Sequence, residues 1–357
     1  MTFADARAMF PVLQRLAYLN TGSFGPLSSG TAAAMAEEGQ RDLVDGRSGL
    51  AYFERGLALR DELRALMAEL VSAPPDTVAL TASTTDGCNV VLSGLGLRPE
   101  DEVITTTDEH FGLLGPLHAS SARIVVVEPT AESILAAVSP RTRLLAVSQV
   151  LWTNGRILPV HELREASGLP ILVDAAQSVG AIPVSVQGLD FVAIPGQKWL
   201  CGPDPTGALV VADPDALRIA RPSSFSFSRD DGFDVAGAFV PRPGAARFEP
   251  NWISVATLAG LKVALTQAPD WSFERAAAQA DQLRAMLAGH VDVVTSPEQA
   301  TLVAFRPPDG RTAAEVTGTL MDLGVVVREI PRRELVRASV GWWTNEEDLD
   351  RLVAGLS

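Results

Sequence analysis

Between residues 77 and 212 the chain alternates short apolar runs with longer stretches whose apolar positions recur at three- and four-residue spacing. Thr77 to Thr81, Glu102 to Thr106, Arg123 to Val127, Arg143 to Val147, Pro170 to Val173, Phe191 to Ile194 and Ala208 to Val211 are bounded by turn residues and predict strands. Most of the intervening segments are long enough for helices. A repeated strand, helix, strand order predicts an α/β fold with a mostly parallel sheet covered on both faces. In such sheets function sits at the carboxyl ends of the strands.

From Pro222 to Pro250 the pattern gives way to Ser, Phe, Gly, Pro and Arg, too irregular for a regular element and too aromatic for a passive linker, so it reads as a loop lining a site. Ile253 to Ala268 and Trp271 to His290 read as helices. A βαβ-like tail with strands near Ala300 to Phe305 and Val325 to Glu329 completes a smaller α+β domain. The expected division is an N-terminal segment over 1–15, a large domain over 16–250 and a small C-terminal domain over 251–357.

Composition narrows the function. With 47% apolar and 20% charged residues the chain of 357 is a folded globule. Its 43 acidic against 29 basic residues give a formal charge of -14, which repels nucleic acid and anionic lipid. Cys88 and Cys201 are the only cysteines, too few for a disulfide scaffold or a zinc ribbon, and no metal site is expected. No apolar run approaches the roughly 18 residues of a membrane span, and the stretch from Met1 to Asn20, broken by Asp5, Arg7 and Arg15, offers no uninterrupted apolar region or small-residue cleavage site, so no export is expected. A cytoplasmic protein is expected.

Only two of the basic residues are lysines, Lys198 and Lys262. Lys262 lies in the helical pattern ISVATLAGLKVAL and reads as a solvated side chain. Lys198 follows the apolar strand FVAIP and precedes the turn segment CGPDPTGAL. In apolar surroundings a lysine loses its proton more easily, and the neutral amine can attack an aldehyde. Taken alone, a surface lysine and a Schiff-base lysine are about equally good readings. Asp174, at the end of the strand ILVD one excursion earlier, could be a helix cap, but it could also meet Lys198 at the same sheet edge. A lysine and a carboxylate at neighbouring strand ends suit a pyridine aldehyde cofactor: the amine holds the aldehyde carbon, and the anion keeps the ring nitrogen protonated. The segment TASTTDGCN, between a strand and a helix, could cup a phosphate or simply cap the helix.

With these residues in place the chain resembles the class V aminotransferase family of fold-type I pyridoxal phosphate (PLP) enzymes, which includes cysteine desulfurases, isopenicillin-epimerase-like proteins and carbon-sulfur lyases. The most specific part is VDAAQSVGAIPVSVQGLDFVAIPGQKWLCGPDPTGALVV. The resemblance implies a three-layer PLP-transferase fold, a homodimer, and an amino acid as substrate. It makes Lys198 the Schiff-base lysine and catalytic base, Asp174 the partner of the pyridine nitrogen, Gln177 a partner of the ring's phenolic oxygen, and Ala176 a contact with one ring face. It assigns Thr84, Thr85 and Gln197 to the cofactor phosphate, with Asn89 opening the next helix. His110, after Glu109, would stack on the open ring face and take part in catalysis; a lone histidine is otherwise more often structural. Arg337, in VRASVGWWTNEEDLDRL, would grip the substrate α-carboxylate, and Asn20 and Ser23, in YLNTGSFGP, would touch substrate or form a polar turn.

Three departures stand out. Trp152 falls where desulfurases carry an asparagine, which opens the roles of Gln149 and Asn154, and FEPNWISV replaces the Gly-Thr that reaches a phosphate across the dimer, which opens those of Asn251, Trp252 and Ser254. The stretch VVVREIPRRELVR lacks the desulfurases' nucleophilic cysteine, and its Arg328, Arg332 and Arg333 read as surface residues. The expected reaction is therefore β-elimination, as in a carbon-sulfur lyase, with Phe225, Phe227, Trp252, Trp342 and Trp343 as an aromatic lining or as plain core. Transamination and epimerisation remain open branches. A nicotinamide enzyme would need a Gly-x-Gly-x-x-Gly turn that SGLGLRPED does not supply, and a non-catalytic binding module would have little reason to keep both Lys198 and Asp174.

Overall fold

A computed structural model describes residues 1–228, 234–296 and 299–356. Its strands are β1 Ala17–Tyr18, β2 Val78–Thr81, β3 Glu102–Thr106, β4 Arg123–Val127, β5 Thr142–Ser148, β6 Ile171–Asp174, β7 Phe191–Pro195, β8 Gly207–Val211, β9 Leu302–Phe305, β10 Val325–Val326, β11 Arg328–Ile330 and β12 Leu335–Ser339. The seven predicted strands, β2 to β8, form one sheet in the order β2-β8-β7-β6-β5-β3-β4. β8 runs antiparallel to both its neighbours and every other pairing is parallel.

Side-chain alternation divides this sheet between two cores. Leu145, Val147, Ile171, Val173, Val192 and Ile194 face the helices Leu50–Val71, Val160–Ser167 and Val255–Thr266. Their neighbours Leu144, Ala146, Leu172, Phe191 and Ala193 face the helices Thr84–Gly94 and Phe111–Ala119. Both faces of the central strands are thus apolar, which is why these strands read as continuous runs. Each fully buried Val, Leu or Ile side chain contributes on the order of 2 kcal/mol.

The tail departs from the βαβ expectation. β9, β12 and β11 form an antiparallel sheet in the order β11-β12-β9, and the predicted strand over 325–329 divides into β10 and β11. β10 pairs in parallel with β1, so Ala17 and Leu19 enter the same core as Val303, Phe305, Val336 and Leu349. The helix Val255–Thr266 instead supplies Leu258 and Leu261 to the large core. Packing therefore crosses the expected division after residue 250 in both directions.

The aromatic segment over 222–250 is bridged between Phe227 and Pro241 and ends in the 3-10 turn Ala245–Phe248, while residues 229–233 lie outside the described residues. Phe225 and Phe227 line a cavity of their own with Leu57 and Arg242. Trp252 packs on Tyr52 and Phe53, and Trp342 and Trp343 pack on Phe10. None of the five expected lining aromatics reaches the cavity described below.

Candidate active site

Topology delivers the chemistry to one place. β6 and β7 are parallel neighbours, Asp174 pairing with Ala193, so Asp174 and the Gly196-Gln197-Lys198 turn emerge from the same sheet edge. The turn is closed on itself by Gly196 N–H donating to Thr206 and Gly202 N–H donating to Gly196, each at 2.8 Å. Both Asp174 and Lys198 line a cavity of about 270 Å³. Burial lowers the Lys198 pKa to about 8; the Asp174 charge opposes this, and Arg337 and Arg328 reinforce it. Burial raises the Asp174 pKa, against Lys198 and an Ala176 N–H that donates to its Oδ1 at 2.8 Å. The amine is thus brought toward the range in which a neutral, nucleophilic fraction exists near pH 7.

The helix Thr84–Gly94 begins at the cavity wall, capped by Ser83, whose Oγ accepts from Asp86 N–H at 3.1 Å. Ser83, Thr84 and Thr85 all line the cavity, as does Gln197, whose Oε1 is buried without a partner. Ser83 escaped the sequence reading, although its spacing to Asp86 is a helix-start signal. Asn89 lies outside the lining and donates to Thr85 O at 3.0 Å.

His110 follows β3 and caps the helix Phe111–Ala119, its Nδ1 accepting from Gly112 N–H at 3.0 Å. Burial lowers its pKa to about 4, helped by Lys198, Arg337 and Arg328, so the imidazole is neutral, with its proton on Nε2. Trp152 meets this ring edge-on, the centroids 4.9 Å apart, and has a buried indole N–H without a partner. Beneath them, Glu109 accepts from Thr106 Oγ, Ser148 Oγ and Ser148 N–H, tying β3 to β5. Of the other polar residues near the Trp152 departure, Gln149 has a buried Oε1 without a partner, and Asn154 accepts from Arg156 N–H.

Ala176, Gln177 and Ser23 line the cavity, but Asn20 does not: it braces Ser23, accepting from its hydroxyl at 2.9 Å. Gln177 donates to Gly22 O and accepts from Trp199 Nε1, each at 2.9 Å, leaving one amide hydrogen uncommitted. Gly22 has to be small, since a Cβ there would lie 2.7 Å from Arg337 Nη2.

Arg337, in the middle of β12, is 1% exposed. Its Nη1 donates to Trp152 O at 2.5 Å, its Nε has no partner, and it pairs with no carboxylate among the described residues. Burial, and then Arg328, lower its pKa to about 9. Arg328 lies directly across the β11–β12 ladder and also lines the cavity, which corrects the surface reading given to it from the sequence. Arg332 is exposed, and Arg333 forms an ion pair with Asp108. Lys262 lies elsewhere, half-exposed and paired with Glu62.

Neither Cys88 nor Cys201 lines the cavity, and burial raises the pKa of both thiols. Among the described residues no cluster of three or more His, Cys, Asp or Glu could hold a metal ion, and no helix is long and apolar enough to cross a membrane.

The family model for aminotransferase class-V matches residues 52–352, and the chain belongs to that family of PLP-dependent enzymes. Isopenicillin N epimerase of Streptomyces clavuligerus is 29% identical, over 99% of this chain and 97% of that protein. A probable cysteine desulfurase of Methanothermobacter thermautotrophicus is also 29% identical, over 73% of this chain and 68% of that protein. The structure of the cystine C-S lyase C-DES with its product cysteine persulfide superposes with a TM-score of 0.91 at 25% identity, covering 97% of this chain and 98% of that one. A C-DES variant with glycine covalently linked to the PLP cofactor matches equally well, again with a TM-score of 0.91 at 25% identity, over 98% of both chains. The cavity suits such a group: a low-pKa amine, a buried acid, a helix start lined with hydroxyls, and buried polar atoms on Gln197 and Trp152 that lack partners.

Proposed function

We propose that the chain is a carbon-sulfur lyase, removing a β-thiolate and the α-proton from a sulfur-substituted amino acid to give a thiol, pyruvate and ammonia after uptake of one water. The observation that carries chemistry at an amino acid's α-carbon is the convergence of Lys198, Asp174 and the unpaired Arg337 on one cavity. PLP bound there supplies a sink for the electron pair left at Cα.

The residues divide the remaining work. Arg337 binds the α-carboxylate, which gives its buried guanidinium the anion it lacks. Asp174 supplies a fixed, buried negative charge in the cavity, Ala176 and Gln177 line it alongside, and Thr84, Thr85 and Gln197 would hold the phosphate with Ser83. Lys198 Nζ takes the α-proton, a role suited to an amine whose pKa lies near 8. Neutral His110 lines the same cavity, where it would pack against the bound group and present Nε2–H as a donor. Ser23 borders the substrate, with Asn20 holding it in place.

Elimination is favoured over transfer of sulfur to the enzyme by the position of the two thiols, both buried outside the cavity. The similarity to a cystine C-S lyase points the same way. Epimerisation is the second reading, favoured by the near full-length similarity to isopenicillin N epimerase. Incubation of the PLP-loaded enzyme with β-thio-substituted amino acids separates the readings: pyruvate with ammonia supports elimination, whereas solvent deuterium at an inverted Cα, or a new amino acid from an added keto acid, refutes it. A homodimer is part of the proposal, supported by the exposure of Leu43, Val44, Leu50 and Phe53 around the turn between the first two long helices.

A further inference from the structure

Arg337 satisfies the requirement for one carboxylate, but the cavity holds a second guanidinium. Arg328 and Arg337 are direct partners in the β11–β12 register, and both line the cavity that also holds Lys198. Like charges set opposite each other on a ladder repel, and such pairs persist where something else compensates them. No compensation comes from the protein, since the Arg328 side chain has no ion pair or hydrogen bond among the described residues. The neighbouring Arg333 shows the contrast, satisfied by Asp108 and by Thr107 O at 3.1 Å. Arg328 is half-buried, close enough for its charge to act on Arg337, Lys198 and His110.

We propose that Arg328 is a specificity-determining residue that binds a second anionic group, at the far end of the substrate's β-substituent, so that the preferred substrate is an amino acid carrying a negative charge on its leaving group. This rests on the reading of Arg337 as the α-carboxylate site. With that carboxylate on Arg337, the remaining cation across the ladder is available to a charge further along the side chain. A planar two-donor guanidinium suits a carboxylate there, and a neutral thioether would leave it half-buried and unpaired.

The test uses a matched pair of probes, S-carboxymethylcysteine and S-carbamoylmethylcysteine, nearly equal in shape and differing in charge. Dissociation constants are read from the cofactor's visible spectrum in the PLP-loaded protein, and pyruvate release is followed separately. The wild-type protein is expected to bind the carboxymethyl compound at least about tenfold more tightly, as a charge-assisted pair predicts. Arg328→Gln should bring the ratio close to one. A wild-type ratio near one overturns the proposal, whether or not the variant folds, and so does a ratio that survives Arg328→Gln. Failure of the lyase reading looks different: neither probe releases pyruvate, while the charge preference and its loss on substitution are still recorded in the spectra.

Discussion

Gly25 N–H donates to Gln197 O at 2.8 Å, which lays the N-terminal segment directly on the turn that carries Lys198. A Cβ at Gly25 would collide with Lys198 O and stand 3.0 Å from Cys201 Sγ. Both obstacles are packed groups, so the turn has to move. Gly25→Ala is expected to lower kcat at least about tenfold, because small displacements of a reacting group are costly. Wild-type kcat in a folded Gly25→Ala protein would show that the turn accommodates the methyl group.

Asp174→Asn keeps the shape of the side chain and its place beside Ala176 while removing the charge. Loss of fixed electrostatic stabilisation at a reacting centre costs about 100- to 1000-fold in kcat. Because burial already disfavours the Asp174 anion, the unfolding midpoint is expected to stay the same or rise. Steady-state kinetics together with thermal unfolding check both parts, and an unchanged kcat would remove Asp174 from the chemistry.

Arg337→Gln removes the buried cation proposed to hold the α-carboxylate. Truncating one side of a buried charge pair costs roughly 2 to 5 kcal/mol, a weakening of about 30-fold or more. The loss should appear with every amino acid offered, charged or neutral in its side chain, in binding titrations or in KM. A loss confined to substrates with anionic side chains would exchange the roles of Arg337 and Arg328.

Glu109 links the fold to pH. Burial pushes its carboxyl from 4.5 up to about 7, despite hydrogen bonds from Ser148 and Thr106 that favour the anion. A carboxyl with a raised folded-state pKa contributes stability that is complete below its unfolded pKa and is lost as pH rises through the folded value. Between about pH 5 and pH 8 the wild-type protein should therefore lose stability relative to Glu109→Gln, by on the order of 3 kcal/mol. Urea unfolding of both proteins across that range checks the sign, and parallel curves would contradict it.

The strands of the large sheet were legible because burial on both faces writes them as unbroken apolar runs, and the lysine pair was legible because a chain so poor in lysine leaves few candidates. Lys198, Asp174, His110 and Arg337 could each be named from their segments, and the folded chain brings all four to one cavity. Arg328 could not be recognised in this way. Its inward position depends on the pairing of β11 with β12, a register that local spacing does not encode, and REIPRR taken alone reads as solvated charge. β1 was missed for a similar reason, being two residues long and defined by its partner β10. The aromatic segment over 222–250 misled in the other direction, since apolar rings mark burial without saying against what.

The central claim is that Lys198 Nζ holds the PLP aldehyde carbon, and borohydride reduction followed by peptide mapping tests it most directly. The cofactor's mass should appear on the peptide containing Lys198, with Lys262 unmodified, and Lys198→Ala should take up no label. Label on Lys262, or a protein that binds no PLP and gains no visible absorbance when it is added, would contradict the account.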